Sequence, residues 1–101
     1  MVGMDKTLKE EYKEAFLQIR QVVNSIDPMG LVDWCGPEEY DAEVSEILSK
    51  LRACKTEGEI RTIVIDVFTK KFDDPGNLDL YNNVGQDLMR VKRSHSWLNV
   101  S

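Results

Sequence analysis

Apolar residues recur at steps of three and four through most of this chain, and this periodicity restricts the fold more than any other feature. Such steps place the residues on one face of an α-helix, which has about 3.6 residues per turn. The most apolar of these stripes consists of Ile60, Ile63, Val64, Val67, Phe68 and Phe72. Although β-branched residues favour strands, the helical spacing predicts an all-α fold.

Breaks in the periodicity divide the chain into four predicted helices, at about 7–25, 41–54, 57–73 and 77–92. Asp27-Pro28 ends the first helix, because the residue before a proline is disfavoured in the α conformation. We expect one domain over residues 1–101, folded as a compact up-and-down bundle, since about 100 residues is a common domain size. The tail 94–101 is expected either to dock onto this bundle or to stay mobile.

Polar residues at the predicted helix starts support these boundaries. Thr7 with Glu10, and Thr56 with Glu59, have the spacing of a capping box, in which two side chains satisfy free backbone N–H groups. Asp41 is expected to cap the second helix. The fourth helix has weaker support, because its sequence includes Asn82, Asn83 and Gly85, which are poor helix formers. Its predicted inward side chains are Leu80, Tyr81, Val84, Leu88 and Val91.

The charge of the chain is negative and unevenly distributed. It has 13 Lys and Arg against 18 Asp and Glu, a net charge of −5, which argues against nucleic acid as the main partner. Residues 27–49 hold seven of the acids and no base. Such an acidic face would favour a basic protein partner. The same clustering also has a structural explanation, because carboxylates stabilise helix starts.

Several classes of site and location find no support in the sequence. No apolar run is long enough to span a membrane and the N-terminal residues lack the apolar block of a signal peptide, so we expect a cytoplasmic protein. Cys35 and Cys54 form neither a disulfide framework nor a zinc motif. His95, the only histidine, lies in the tail and is expected to be solvated rather than catalytic.

A metal site is possible in principle at the start of the second helix. Glu39, Glu43 and Glu46 would share one helical face. Helical di-metal sites normally add histidines from other helices. The single histidine of this chain, His95, lies in the tail and not on a predicted helix. We therefore expect no catalytic residue, no cofactor and no metal.

The long connection before the second helix is the most unusual segment. Residues 26–40 exceed the roughly 2–8 residues that usually join bundle helices. Leu31 and Trp34 could fold back onto the bundle, which would make the loop purely structural. Exposed Trp and Tyr are instead favoured anchors of interfaces. The candidate partner-binding residues are Asp33, Trp34, Glu38, Glu39, Tyr40, Glu43 and Glu46.

The loop and its flanks also carry a distinctive arrangement of residues: Asp27-Pro28, Gly30-Leu31, Pro37, Tyr40-Asp41 and Glu43, followed by Phe68 and Phe72. This arrangement resembles the YugE-like family of small bacterial proteins of unknown function, over about residues 22–73. The resemblance implies an all-helical fold. It assigns no activity and therefore no catalytic residues.

These observations favour a non-enzymatic protein-binding module that is monomeric or weakly dimeric and binds neither nucleic acid nor membrane. One specific version is an immunity-like or antitoxin-like protein that masks a basic partner. The alternative is a small-molecule-binding protein or enzyme whose carboxylates line a cleft between helices. A deep cleft with inward carboxylates would favour the second hypothesis, and an exposed patch around Trp34 would favour the first.

Overall fold

The computed structural model describes residues 8–99, and every regular element within that range is helical. The elements are α1 (Leu8–Ile26), α2 (Val32–Cys35), α3 (Asp41–Leu51), α4 (Glu57–Phe72) and α5 (Val84–Ser94), with 3-10 turns at Leu78–Tyr81 and Ser96–Asn99. The prediction of an all-α fold is confirmed. The predicted cap at Thr7 lies outside the described residues. None of the helices in this range has both the length and the apolar character that crossing a membrane requires.

The four long helices form a compact bundle. Helix α1 packs against α3 and α5, and α4 packs against the same two helices from the other side. The short helix α2 lies within the predicted long loop and adds a single turn there. The bundle of about four helices with a long ordered connection is therefore present as predicted.

One hydrophobic core connects the four helices, and Phe68 lies fully buried within it. The apolar residues of α3 and of the turn after it are buried: Val44, Ile47, Leu48, Leu51 and Cys54. In α4, Val67 and Phe68 are in the core as predicted, whereas Ile63 is only half-buried and packs at the edge. Burial of apolar side chains provides about 25 cal/mol per Å² of apolar surface removed from water.

The start of α4 is a complete capping box, as its sequence predicts. The hydroxyl of Thr56 accepts a hydrogen bond of 3.1 Å from the N–H of Glu59, whose carboxylate accepts one of 3.0 Å from the N–H of Thr56. The predicted cap of α3 is wrong. Tyr40 occupies the cap position without a side-chain hydrogen bond. Asp41 is already the first helical residue, and its carboxylate pairs with Arg20 instead.

The fourth predicted helix is replaced by two shorter elements. A 3-10 turn at Leu78–Tyr81 precedes α5, which begins only at Val84. Of the side chains predicted to point inward, Leu80 is 36% exposed, whereas the other four are buried: Tyr81, Val84, Leu88 and Val91. Gly85 is required by a close helix contact, because a Cβ atom at this position would lie 2.2 Å from the carbonyl oxygen of Glu57. The poor helix formers therefore delay the helix and allow α5 to approach α4.

The segment after α5 is ordered and docked as far as it is described. Leu98 is fully buried, and the side-chain amide of Asn99 donates to the carbonyl oxygens of Lys92 (2.8 Å) and His95 (3.1 Å). The prediction of a solvated His95 is wrong. This side chain is 9% exposed, and its Nε2 lies 2.7 Å from Oε1 of Gln18 on α1. Contacts with α1 thus hold the C-terminal segment in place.

Candidate functional site

The loop between α1 and α3 is organised around the carboxylate of Asp27. This residue follows α1 with a φ of 43°, in the left-handed region that few non-glycine residues adopt. Its Oδ1 accepts hydrogen bonds from the hydroxyl of Tyr40 at 2.6 Å and from the N–H groups of Leu31 at 3.0 Å and Val32 at 3.4 Å. One carboxylate therefore joins the end of α1, the start of α2 and the start of α3.

Tyr40 forms the other half of this arrangement. Its ring is fully buried and meets Phe68 edge-on at 5.3 Å and Phe72 at 6.3 Å between ring centroids. Its hydroxyl also accepts a hydrogen bond of 3.0 Å from the N–H of Met29. Burial, followed by the hydrogen bond to Asp27, raises the pKa of Tyr40 to about 12. The phenol thus remains a hydrogen-bond donor at neutral pH. We call this pair the Asp27–Tyr40 clasp.

Two further contacts tie the loop to α1. The side-chain amide of Asn24 donates to the carbonyl oxygen of Pro37 at 2.7 Å. The guanidinium of Arg20 binds both carboxylate oxygens of Asp41, at 2.9 and 2.7 Å. Such two-point pairing fixes geometry as well as charge. The loop is therefore held at three places by residues other than Trp34.

Trp34 projects from this anchored loop into solvent. Its side chain is 88% exposed, and the neighbouring carboxylates of Asp33, Glu38 and Glu39 are exposed as well. We define the loop surface as Asp33, Trp34, Glu38 and Glu39. The alternative in which Trp34 folds back to cap the bundle does not occur, whereas Leu31 does pack against the core.

Three of the predicted partner-binding residues are not part of this surface. Tyr40 is fully buried because its ring packs on α4, and Glu43 is 4% exposed. Glu43 lies three residues after Tyr40 and four before Ile47, so helical spacing places it on the buried face of α3. Glu46 is exposed, but its carboxylate pairs with Lys50 at 2.9 Å along α3.

Burial gives Glu43 an unusual titration. Desolvation raises the pKa of its carboxyl, the positive charge of Lys71 opposes that rise, and Glu39 and Glu46 reinforce it. A carboxyl of this kind resembles those of catalytic acids. A catalytic role would also need a concave pocket beside it. Of the three carboxylates considered above as a metal site, Glu43 is buried whereas Glu39 and Glu46 are exposed. No cluster of metal-binding side chains forms among residues 8–99.

A surface depression of about 520 Å³ lies elsewhere, beside the start of α4. Its lining comes from α4 and its cap alone: Thr56, Gly58, Glu59, Thr62 and Ile63. One carboxylate on a single helix does not make the carboxylate-lined cleft between helices that the small-molecule or enzymatic alternative predicts. The depression therefore gives that alternative no support.

The exposed thiol of Cys35 adjoins the loop surface. Partial desolvation, the negative charge of Glu39 and a hydrogen bond with that carboxylate raise the pKa of Cys35. Because the thiolate is the reactive form, this environment lowers the nucleophilicity of the thiol at neutral pH. The environment of Cys35 therefore does not activate its thiol.

Comparisons with known proteins find no matching family model, no matching curated protein and no matching solved structure. The resemblance to the YugE-like family stays a prediction. Three of the residues that carry it have clear structural contacts in this chain: Asp27 and Tyr40 form the clasp, and Asp41 binds Arg20. That part of the arrangement specifies a loop conformation rather than a reaction.

Proposed function

We propose that this protein is a non-enzymatic protein-binding module that contacts its partner through the loop surface. The exposure of Trp34 carries this proposal: the indole is 88% exposed although its loop is anchored by the clasp, by Asn24 and by Arg20. An anchored loop loses little conformational freedom on binding. A partner that covers the indole gains the burial of a large aromatic side chain.

The charge around Trp34 supports a basic partner. The acidic residues Asp33, Glu38 and Glu39 lie within five positions of Trp34 in the sequence, and residues 27–49 contain no Lys or Arg. Complementary charge accelerates encounter and disfavours acidic competitors. The specific form of the proposal is an immunity-like or antitoxin-like protein that masks a basic surface of another protein. We further propose a monomer or weak homodimer in the cytoplasm, where the exposed Cys35 would remain reduced.

To test the proposal, three forms of the protein are immobilised and exposed to an extract of cells that naturally produce it. The proteins that each form retains are then compared. These forms are the wild type, Trp34→Ala and the control Leu17→Ala, which removes a side chain that is 42% exposed on helix α1. We expect at least one partner to be retained by the wild type and the control and lost by Trp34→Ala. Retention of every partner by Trp34→Ala would contradict the proposal.

Kinetic measurements with that partner separate the roles of charge and indole. Glu38→Gln with Glu39→Gln should mainly slow association, and the rate should fall as salt rises past about 0.15 M, where the Debye length is about 8 Å. Trp34→Ala should mainly speed dissociation, since an aromatic anchor acts after docking. An association rate that ignores both salt and the charge change would exclude electrostatic steering by this surface.

A further inference from the structure

The connection after α4 lies directly against the loop that carries Trp34. Gly76 has a φ of 81°, and a Cβ atom there would lie 2.7 Å from the carbonyl oxygen of Pro28 and 3.4 Å from Cε of Met29. Only a glycine allows the two backbones to meet this closely. Residues 73–78 and the 27–40 loop are therefore neighbours at one end of the bundle.

This second connection is also acidic, exposed and held in shape. Asp73 and Asp74 are exposed, and the carboxylate of Asp74 accepts a hydrogen bond of 2.8 Å from the N–H of Gly76. The hydroxyl of Tyr81 donates to the carbonyl oxygen of Pro75 at 2.6 Å. Leu78, which follows this turn, is 49% exposed.

The electrostatic environment of Tyr81 links the two connections. Burial raises the pKa of Tyr81 to about 12, and Tyr40 from the first connection and Asp74 from the second both contribute to the rise. The ring of Tyr81 also lies 6.4 Å from that of Phe68, on which Tyr40 packs. The ring of Phe68 thus packs against a tyrosine from each of the two connections.

From this placement we propose that the loop surface and residues 73–78 form one bipartite docking surface for a basic protein segment. Trp34 and Leu78 supply exposed apolar groups, and five carboxylates accompany them: Asp33, Glu38, Glu39, Asp73 and Asp74. Charge complementarity favours a segment rich in Lys and Arg. The exposed side chains of Trp34 and Leu78 favour a segment that also carries apolar side chains. This inference rests on the proposed function and adds a second contact region to it.

A synthetic peptide provides a defined probe of this surface. The peptide is a fluorescein-labelled amphipathic 14-residue sequence of Lys and Leu, and its binding is followed by fluorescence anisotropy at fixed salt. Three double variants neutralise two carboxylates each: Asp73→Asn with Asp74→Asn, Glu38→Gln with Glu39→Gln, and the control Glu11→Gln with Glu57→Gln. Their net charges are equal, so they differ only in where charge is removed. Asn suits Asp73 and Asp74 because it tolerates a positive φ and keeps the acceptor for Gly76.

We expect the first two variants to weaken peptide binding by about threefold to tenfold, and the control by less than about twofold. Trp34→Ala should also weaken it. Hydrogen exchange in the wild type gives an independent readout, because the bound peptide should protect the amides of residues 73–78 even if a variant folds poorly.

The possible failures are distinguishable. In one outcome, binding depends on Trp34 and on Glu38 with Glu39, but not on Asp73 with Asp74, and residues 73–78 stay unprotected. This result would overturn the bipartite surface and leave the proposed function standing. An equal loss in all three double variants would show attraction to net charge alone and overturn the bipartite surface. No loss in any variant, Trp34→Ala included, would count against the proposed function as well.

Discussion

The two tryptophans occupy similar local structures and opposite environments. Trp34 lies in the single turn α2 and is 88% exposed, whereas Trp97 lies in the last 3-10 turn and is half-buried against the core. The ring of Trp97 lies 6.3 Å from Tyr12 and 6.4 Å from His95. The C-terminal segment is thus held by its own apolar side chains. The loop that carries Trp34 is held by hydrogen bonds of other residues.

This difference indicates that Trp97 contributes to the stability of the fold, whereas Trp34 is available for contact with a partner. Removing Trp97 or its neighbour Leu98 takes away the contacts that dock a segment. Removing Trp34 leaves the clasp, the Asn24 contact and the Arg20–Asp41 pair in place. Stability should therefore respond at the C-terminal segment and at the clasp, and not at Trp34.

The largest effect is expected at the C-terminal segment. Leu98 is fully buried, so Leu98→Ala should lower the free energy of unfolding by about 2–5 kcal/mol, through lost apolar burial and the cavity left behind. Urea denaturation measures this loss. Leu78→Ala serves as the control, since a half-exposed side chain should cost much less. A loss below about 1 kcal/mol for Leu98→Ala would show that the segment is not docked as described.

A smaller loss is expected at the clasp. Tyr40→Phe keeps the buried ring and removes the hydroxyl that donates to Asp27 and accepts from Met29. Hydrogen bonds to charged groups contribute about 1.5–3 kcal/mol, so the free energy of unfolding should fall by about that amount. The matched control is Tyr12→Phe, at a ring that is 42% exposed. Equal effects of the two substitutions would mean that the clasp does not stabilise the loop.

Alkaline pH gives a further test of the clasp. The pKa values of Tyr40 and Tyr81 are both raised to about 12 in the folded protein, against about 10 in an unfolded chain. Between these values the unfolded state has lost phenolic protons that the folded state retains. The stability that this difference provides is therefore full below about pH 10 and lost as pH rises toward about 12.

Urea midpoints at pH 9 and pH 11 measure this loss. Between these pH values, the urea midpoint of Tyr40→Phe should fall less than that of the wild type, because one of the two phenols with a raised pKa is gone. Tyr12→Phe should decrease as the wild type does. An identical decrease in all three proteins would show that Tyr40 does not titrate as the buried clasp requires.

The sequence predicted the elements whose signals are local. The stripe of α4 and the capping box at Thr56 and Glu59 lie within a few residues of each other, so spacing alone identified them. The buried position of Glu43 was also present in the helical spacing, but its charge suggested a surface residue. Carboxylates are rarely buried, and this one follows the apolar face of α3 into the interior.

The clasp and the docked tail depended on contacts that no local pattern contains. Asp27 and Tyr40 are 13 residues apart, and they meet where the chain turns through a positive φ at Asp27. His95 meets Gln18 across 77 residues, and the last 3-10 turn is too short to show a period. Trp34 is exposed on a loop that the clasp holds in place. Because these contacts are not local, the sequence left both the structural and the functional interpretation of Trp34 open.

The most direct measurement compares the free energies of unfolding of Trp34→Ala and Trp97→Ala with that of the wild type. Trp34→Ala should stay within about 0.5 kcal/mol of the wild type, as expected for a side chain that the fold does not use. Trp97→Ala should lose more than about 1 kcal/mol, because it removes a packed ring. A loss above about 1.5 kcal/mol for Trp34→Ala would show that this indole supports the fold and would contradict its assignment as a free partner-binding anchor.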